Sequence, residues 1–179
     1  MHTSNQPSQL LVDQLEQFRQ LPSGPILDLA CGSGRNGLAL AQAGHPLWFT
    51  DANKEALARV EHQLTALGTT AVIWHQDLED GHNPFAGKQF AAVIGFNYLH
   101  RELFPWLIDA VKPGGLVIYE TFTIKQAEIG RPSNPAFLLK PNELKQFFAS
   151  WQILHYVEGK QANPDRYSAQ LVARKPNKE

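Results

Sequence analysis

The run Ile26-Leu27-Asp28-Leu29-Ala30-Cys31-Gly32-Ser33-Gly34-Arg35-Asn36-Gly37 constrains this chain more than any other stretch. Apolar residues around a single carboxylate read as a short strand. Gly32 and Gly34 then read as a tight loop, and the residues from Arg35 as the start of a helix. Glycine lacks a Cβ and tolerates positive φ, so such a loop brings bare backbone close to a ligand. Strand, loop and helix in this order open a βαβ unit, which belongs to a parallel sheet covered by helices.

The rest of the chain continues that alternation. Leu10, Leu11, Leu15 and Phe18 recur at helical spacing, so 9–20 reads as an amphipathic helix ended by Pro22-Ser23-Gly24-Pro25. Helices follow over 35–43, 53–67 (Asn53 as cap, Gly68 as stop), 102–111 and 141–150. Strands read as 26–29, 47–50, 71–75, 90–96 and 116–122, with an antiparallel pair at 151–157 and 167–173. The expected fold is α/β: a doubly wound, mostly parallel, seven-stranded sheet with helices on both faces and an antiparallel C-terminal hairpin. One domain over 1–179 is expected, with an N-terminal helix within 1–24. Ligands in such sheets bind beyond the carboxyl ends of the strands at the topological switch point. Asp28, Asp51, Asp77 and Asn97 fall at or just past strand ends, which gathers them into one cleft.

The ligand class follows from the charges. Asp51 closes the strand Leu47–Thr50, about 20 residues beyond the glycine loop, where a ribose-binding acid belongs in a nucleotide-binding unit. Gly32-x-Gly34-x-x-Gly37 matches the dinucleotide fingerprint literally. Asp28, read at the mouth of that loop, opposes a pyrophosphate, and Arg35 is the lone counter-charge. A ligand with a cationic centre and no phosphate fits better, and S-adenosylmethionine is one. Two alternatives stay open: a non-catalytic S-adenosylmethionine-binding module, and an NAD(P)-dependent oxidoreductase.

Asp28-Leu29-Ala30-Cys31-Gly32-Ser33-Gly34 resembles motif I of class I S-adenosylmethionine-dependent methyltransferases. Phe49-Thr50-Asp51 is similar to that family's second motif and His75-Gln76-Asp77-Leu78 to its third. Lys112-Pro113-Gly114-Gly115-Leu116-Val117 is similar to the turn before its fifth strand. Gly34-Arg35-Asn36 and the short chain resemble the small tellurite-resistance type. The resemblance implies a Rossmann-like fold, S-adenosylmethionine as methyl donor and S-adenosylhomocysteine as product. It implies a cofactor set of Asp28, Ala30, Cys31, Gly32, Gly34, Asn36, Asp51, Ala52, Asp77, Leu78 and Asn97. Asp51 would accept from the ribose hydroxyls, and Asp77 from the adenine amino group with the Leu78 N–H beside it.

In that family the segment Gly95–Arg101 lines the acceptor pocket. Enzymes that methylate exocyclic nitrogens of bases or glutamine often carry Asn/Asp-Pro-Pro-Tyr there. This chain has Asn97-Tyr98 without the prolines, which disfavours that activity. Asn97, Tyr98 and His100 are the expected catalytic residues, with His100 suited by its titration range to a general base. The connection 123–140 is long and carries Ile124, Ile129, Phe137, Leu138 and Leu139, so it reads as a substrate lid in which Arg131 grips an anionic acceptor. Transfer from a sulfonium is an in-line displacement that asks mainly for proximity and orientation. Cys31 reads as packing, not as a nucleophile.

Composition excludes other classes. The chain has 179 residues and a net charge of −1, with no pull toward nucleic acid or anionic membrane. No apolar run reaches the ~18 residues of a membrane span. A single cysteine leaves no internal disulfide, and scattered histidines offer no zinc site. With a polar start that lacks a signal-peptide core, these features lead us to expect a cytoplasmic protein, a monomer or weak homodimer, acting on a small molecule.

Overall fold

The computed structural model describes residues 5–178. Seven strands form one sheet: β1 Ile26–Leu29, β2 Leu47–Asp51, β3 Val72–His75, β4 Phe90–Phe96, β5 Val111–Phe122, β6 Gln152–Gln161 and β7 Arg166–Arg174. Their order is β3-β2-β1-β4-β5-β7-β6. The first five strands run parallel, and β7 is antiparallel to both β5 and β6. The chain reverses direction across the sheet between β1 and β4, and the ends of those two strands therefore flank a crevice.

The expected strands and helices are present, with three differences. The segment 9–20 is not one helix: α1 spans Gln9–Asp13, and a 3-10 helix, Leu15–Gln20, follows a break at Gln14. Leu10, Leu11 and Phe18 are buried on both sides of the break, so packing satisfies the apolar pattern without a continuous helix. β5 starts at Val111, five residues earlier than expected, through an irregularity between Phe90 and Ala92. The last helix, α5, is short (Glu143–Phe147), and the hairpin strands are longer than expected.

The two cores follow the alternation of the strands. Leu27 and Leu29 face α4 (Leu103–Ala110) and α5, together with Val93, Val117, Tyr119 and Phe148. Ile26 faces α1, α2 (Arg35–Gln42) and α3 (Lys54–Leu67), together with Phe49, Ile94 and Ile118. α3 is bounded as its sequence implies: the Asn53 side chain accepts from the N–H groups of Glu55 and Ala56, and Gly68 ends it in the left-handed region. Among the described residues no helix is long and apolar enough to cross a membrane.

Candidate functional site

Alternation also fixes Asp28. It is the third residue of β1 and shares the face of Ile26, so its side chain runs under α2 and not into the crevice. Only 3 % of it is exposed, and its Oδ2 accepts from the Gly37 N–H at 2.9 Å. A Cβ at Gly37 would lie 2.5 Å from that oxygen and press against the edge of the Phe49 ring, so glycine is required there. This corrects the expectation that Asp28 stands at the loop mouth. Burial pushes its carboxyl up to about 8, with the Gly37 N–H opposing the shift.

At the switch point the backbone turns sharply on both sides. Ala30, just past β1, and Asn97, just past β4, both adopt left-handed φ (49° and 57°). Such conformations are costly for residues other than glycine and cluster at ligand sites. Asn97 is held there by its N–H on the Glu120 carbonyl (2.8 Å). Cys31 continues the ladder beyond β1 through its N–H to the Thr50 carbonyl (2.9 Å). Burial, then the nearby Asp28 charge, raise the Cys31 thiol far above its ordinary range, so it holds its proton.

Two cavities open over these strand ends. The first, about 440 Å³, is walled by Ala30, Asp51, Ala52, Gln76, Asp77, Leu78, Glu79, Asn97 and Tyr98. The second, about 270 Å³, is walled by Glu79, Asn97, Tyr98, Leu99, Thr121, Phe122, Pro132 and Phe137. Glu79, Asn97 and Tyr98 belong to both, so the cavities meet at those three side chains.

Asp51 is oriented before any ligand arrives. Its Oδ2 accepts from the Gly32 N–H and its Oδ1 from the Asn53 N–H, each at 2.8 Å. A carboxylate has about four acceptor positions, so two remain for a vicinal diol. Asp77 Oδ1 accepts from the Glu79 N–H (2.9 Å), which folds the turn after β3. The Tyr98 hydroxyl donates to Glu79 Oε1 (3.2 Å), and the Tyr98 carbonyl accepts from the Tyr119 hydroxyl (2.7 Å). Burial, then the Glu79 charge, lift the Tyr98 hydroxyl well above its ordinary value, so it stays protonated.

Of the residues singled out in the sequence, Ala30, Asp51, Ala52, Asp77, Leu78, Asn97 and Tyr98 line the cavities. Asp28, Cys31, Gly32, Gly34, Asn36, His100 and Arg131 do not. Gly32 and Gly34 (φ 53° and 78°) shape the loop, and Gly32 orients Asp51. Asn36 is buried and accepts from the Ser8 N–H (2.7 Å), which pins the segment before α1. His100 Nε2 faces Glu102 Oε2 at 3.8 Å, and Arg131 is exposed. Sequence reasoning passed over Glu79, although it sits directly after Asp77-Leu78 at a strand end.

The segment 123–140 folds back onto the end of β5. The Ile124 N–H donates to the Leu139 carbonyl and the Leu139 N–H to the Phe122 carbonyl, both at 2.9 Å. Arg101, three residues after Tyr98, fastens it. Its guanidinium donates to Glu143 Oε1 (2.5 Å) and Oε2 (3.0 Å) and to the carbonyls of Ala136 (3.1 Å) and Leu138 (2.8 Å). The same Glu143 accepts from the Lys140 N–H (2.7 Å). Arg101→Ala is expected to leave Glu143 without its counter-charge, with only the Lys140 N–H still donating to it, and the Ala136 and Leu138 carbonyls without the guanidinium, costing about 1–3 kcal/mol. Limited proteolysis should then cut within 132–140 faster than in the unaltered protein. An unchanged cleavage rate would show that Arg101 does not hold this segment.

A family model described as a methyltransferase domain matches residues 26–115. A probable S-adenosyl-L-methionine-dependent methyltransferase, TehB of Haemophilus influenzae, is 25% identical over 137 residues, covering 74% of this chain and 48% of that protein. Trans-aconitate 2-methyltransferase of Rhizobium meliloti is 36% identical over 107 residues, 58% of this chain and 40% of that enzyme. The chain thus spans about half the length of the curated relatives it matches. Among solved structures, TehB of H. influenzae superimposes with a TM-score of 0.75 at 20% identity, over 92% of this chain and 62% of that one. Magnesium protoporphyrin IX methyltransferase of Synechocystis PCC 6803, with bound SAH, gives 0.69 at 20% identity, over 92% and 80%. These superpositions place the fold among methyltransferases.

Proposed function

Because the chain belongs to the methyltransferase-domain family, we propose that it moves a methyl group from S-adenosylmethionine to a small-molecule acceptor by in-line displacement. The observation that carries this reading is the pair of cavities joined at Glu79, Asn97 and Tyr98. One cavity has a nucleoside-binding acid pattern, the other an apolar lining, and a methyl group would cross where they meet.

Asp51 would take the ribose hydroxyls on its two remaining lone pairs. Asp77 and the Leu78 backbone would take the adenine edge, on the same wall. Three carboxylates, Asp51, Asp77 and Glu79, face the first cavity, and no Lys or Arg does. That charge pattern suits a cationic ligand and disfavours a pyrophosphate, which speaks against the dinucleotide alternative. When bound, S-adenosylmethionine supplies an electrophilic methyl carbon on a sulfonium that is already a good leaving group. The protein's part is orientation. Asn97, fixed in a left-handed turn, and Tyr98, held through its carbonyl and hydroxyl, set the aperture between donor and acceptor. The 123–140 segment, fastened by Arg101, closes the acceptor side. The proposal includes a cytoplasmic setting, supported by the single cysteine.

Thermal melting with S-adenosylmethionine, S-adenosylhomocysteine, NAD and NADP tests the ligand class. At 100 times its Kd a ligand adds about 2.7 kcal/mol, enough to raise Tm by several degrees. Shifts with the first two alone are expected. A shift with NAD alone would move the protein to the oxidoreductases.

A further inference from the structure

Resting on that proposed function, we propose that the acceptor is an aliphatic amine on an apolar body, and not an anion. The second cavity is lined by Leu99, Phe122, Pro132 and Phe137, with the neutral Thr121 as its one polar residue away from the junction and Glu79, Asn97 and Tyr98 at the junction with the first. There Tyr98 gives its proton to Glu79 Oε1. The Tyr98 oxygen and Glu79 Oε2 are thereby left as acceptors at the point where the nucleophile must sit. An amine offers two or three N–H donors to such a pair, whereas an alcohol or thiol offers one.

The charges agree. Neither cavity is lined by Lys or Arg. The cations on the flanking segments are engaged or exposed. Arg101 is taken up by Glu143 and two carbonyls, Lys88 donates to the Pro84 carbonyl (3.1 Å), and Arg131 is exposed outside both walls. A carboxylate or oxyanion entering here would meet acidic groups with no counter-charge, while an ammonium is drawn in by the same field.

An amide or ring nitrogen has a delocalised lone pair, whereas an aliphatic amine, once it has lost its proton, presents a free one. An amine arriving protonated first gives a proton to Glu79, which releases it to the open cleft. The nitrogen lone pair then forms the N–C bond as the C–S pair returns to sulfur, and the surplus N–H proton leaves by the same carboxylate.

The experiment uses phenethylamine, phenethyl alcohol and phenylacetate, a matched cation, neutral and anion on one apolar body. Each is titrated calorimetrically into the protein with and without S-adenosylhomocysteine. Phenethylamine is expected to bind at least about tenfold more tightly than phenylacetate. In Glu79→Gln the preference for the amine over the alcohol should fall about tenfold, with the alcohol as the internal control for folding. Phenylacetate binding as well as or better than the amine, no measurable amine binding, or an unchanged amine-to-alcohol ratio in Glu79→Gln would each overturn the proposal. Failure of S-adenosylhomocysteine itself to bind would instead strike the methyltransferase reading, and the titrations without it still rank the three probes.

Discussion

Asp51→Ala is expected to weaken S-adenosylhomocysteine binding by about 2 kcal/mol or more, roughly thirtyfold in Kd. Two losses combine. The ribose hydroxyls lose their charged acceptor, and the Gly32 N–H loses the Oδ2 that holds the glycine loop in place. The Asn53 N–H, at the head of α3, is released from Oδ1 at the same time. Calorimetric titration measures the loss, and Asp51→Asn separates its parts. An asparagine keeps one acceptor oxygen for Gly32 but presents an amide to the diol. Weakened binding in both variants assigns the effect to the ribose, and recovery in Asp51→Asn assigns it to the loop. Full affinity in Asp51→Ala would remove this residue from the ligand site.

Asp28→Asn should stabilise the protein at alkaline pH, by about 2 kcal/mol or more near pH 9. The Asp28 carboxyl is pushed up to about 8, chiefly by burial, from an ordinary value of 3.8. Between those values the fold keeps this proton and the unfolded chain does not. The native state binds more protons, so stability falls as pH rises from about 4 to about 8, by up to ~1.4 kcal/mol per pH unit. Asparagine can still accept from the Gly37 N–H and carries no charge to desolvate. Urea unfolding at pH 4, 7 and 9 should give the smallest difference between the two proteins at the lowest pH and a widening gap above it. Parallel curves would mean that Asp28 is ionised within the fold throughout that range.

Much of the fold was legible because local signals agreed with burial. β4 runs over Phe90–Phe96 as its continuous apolar pattern implies, and α3 is bounded by the Asn53 cap and the Gly68 stop. What could not be read depends on contacts distant in sequence. The apolar spacing of 9–20 is the same whether Leu10 and Phe18 pack from one helix or from two short ones. The early start of β5 comes from pairing with Phe90, not from anything in Val111–Gly115 itself.

At the site, Asp51 and Asp77 were readable from their places at strand ends, and both line the first cavity. Asp28 was placed at the same end by position alone, yet the two-residue alternation of β1 turns it inward. Glu79 gained its place through the turn that Asp77 organises and through a tyrosine from another strand end. Arg101 fastens a loop over 30 residues away, a relation no local pattern carries.

A crystal structure with S-adenosylhomocysteine would test the central claim most directly. The ribose should lie on Asp51, the adenine against Asp77 and Leu78, and the sulfur at the opening framed by Glu79, Asn97 and Tyr98. A ligand bound away from Asp51, or with its sulfur turned from the second cavity, would contradict methyl transfer at this site.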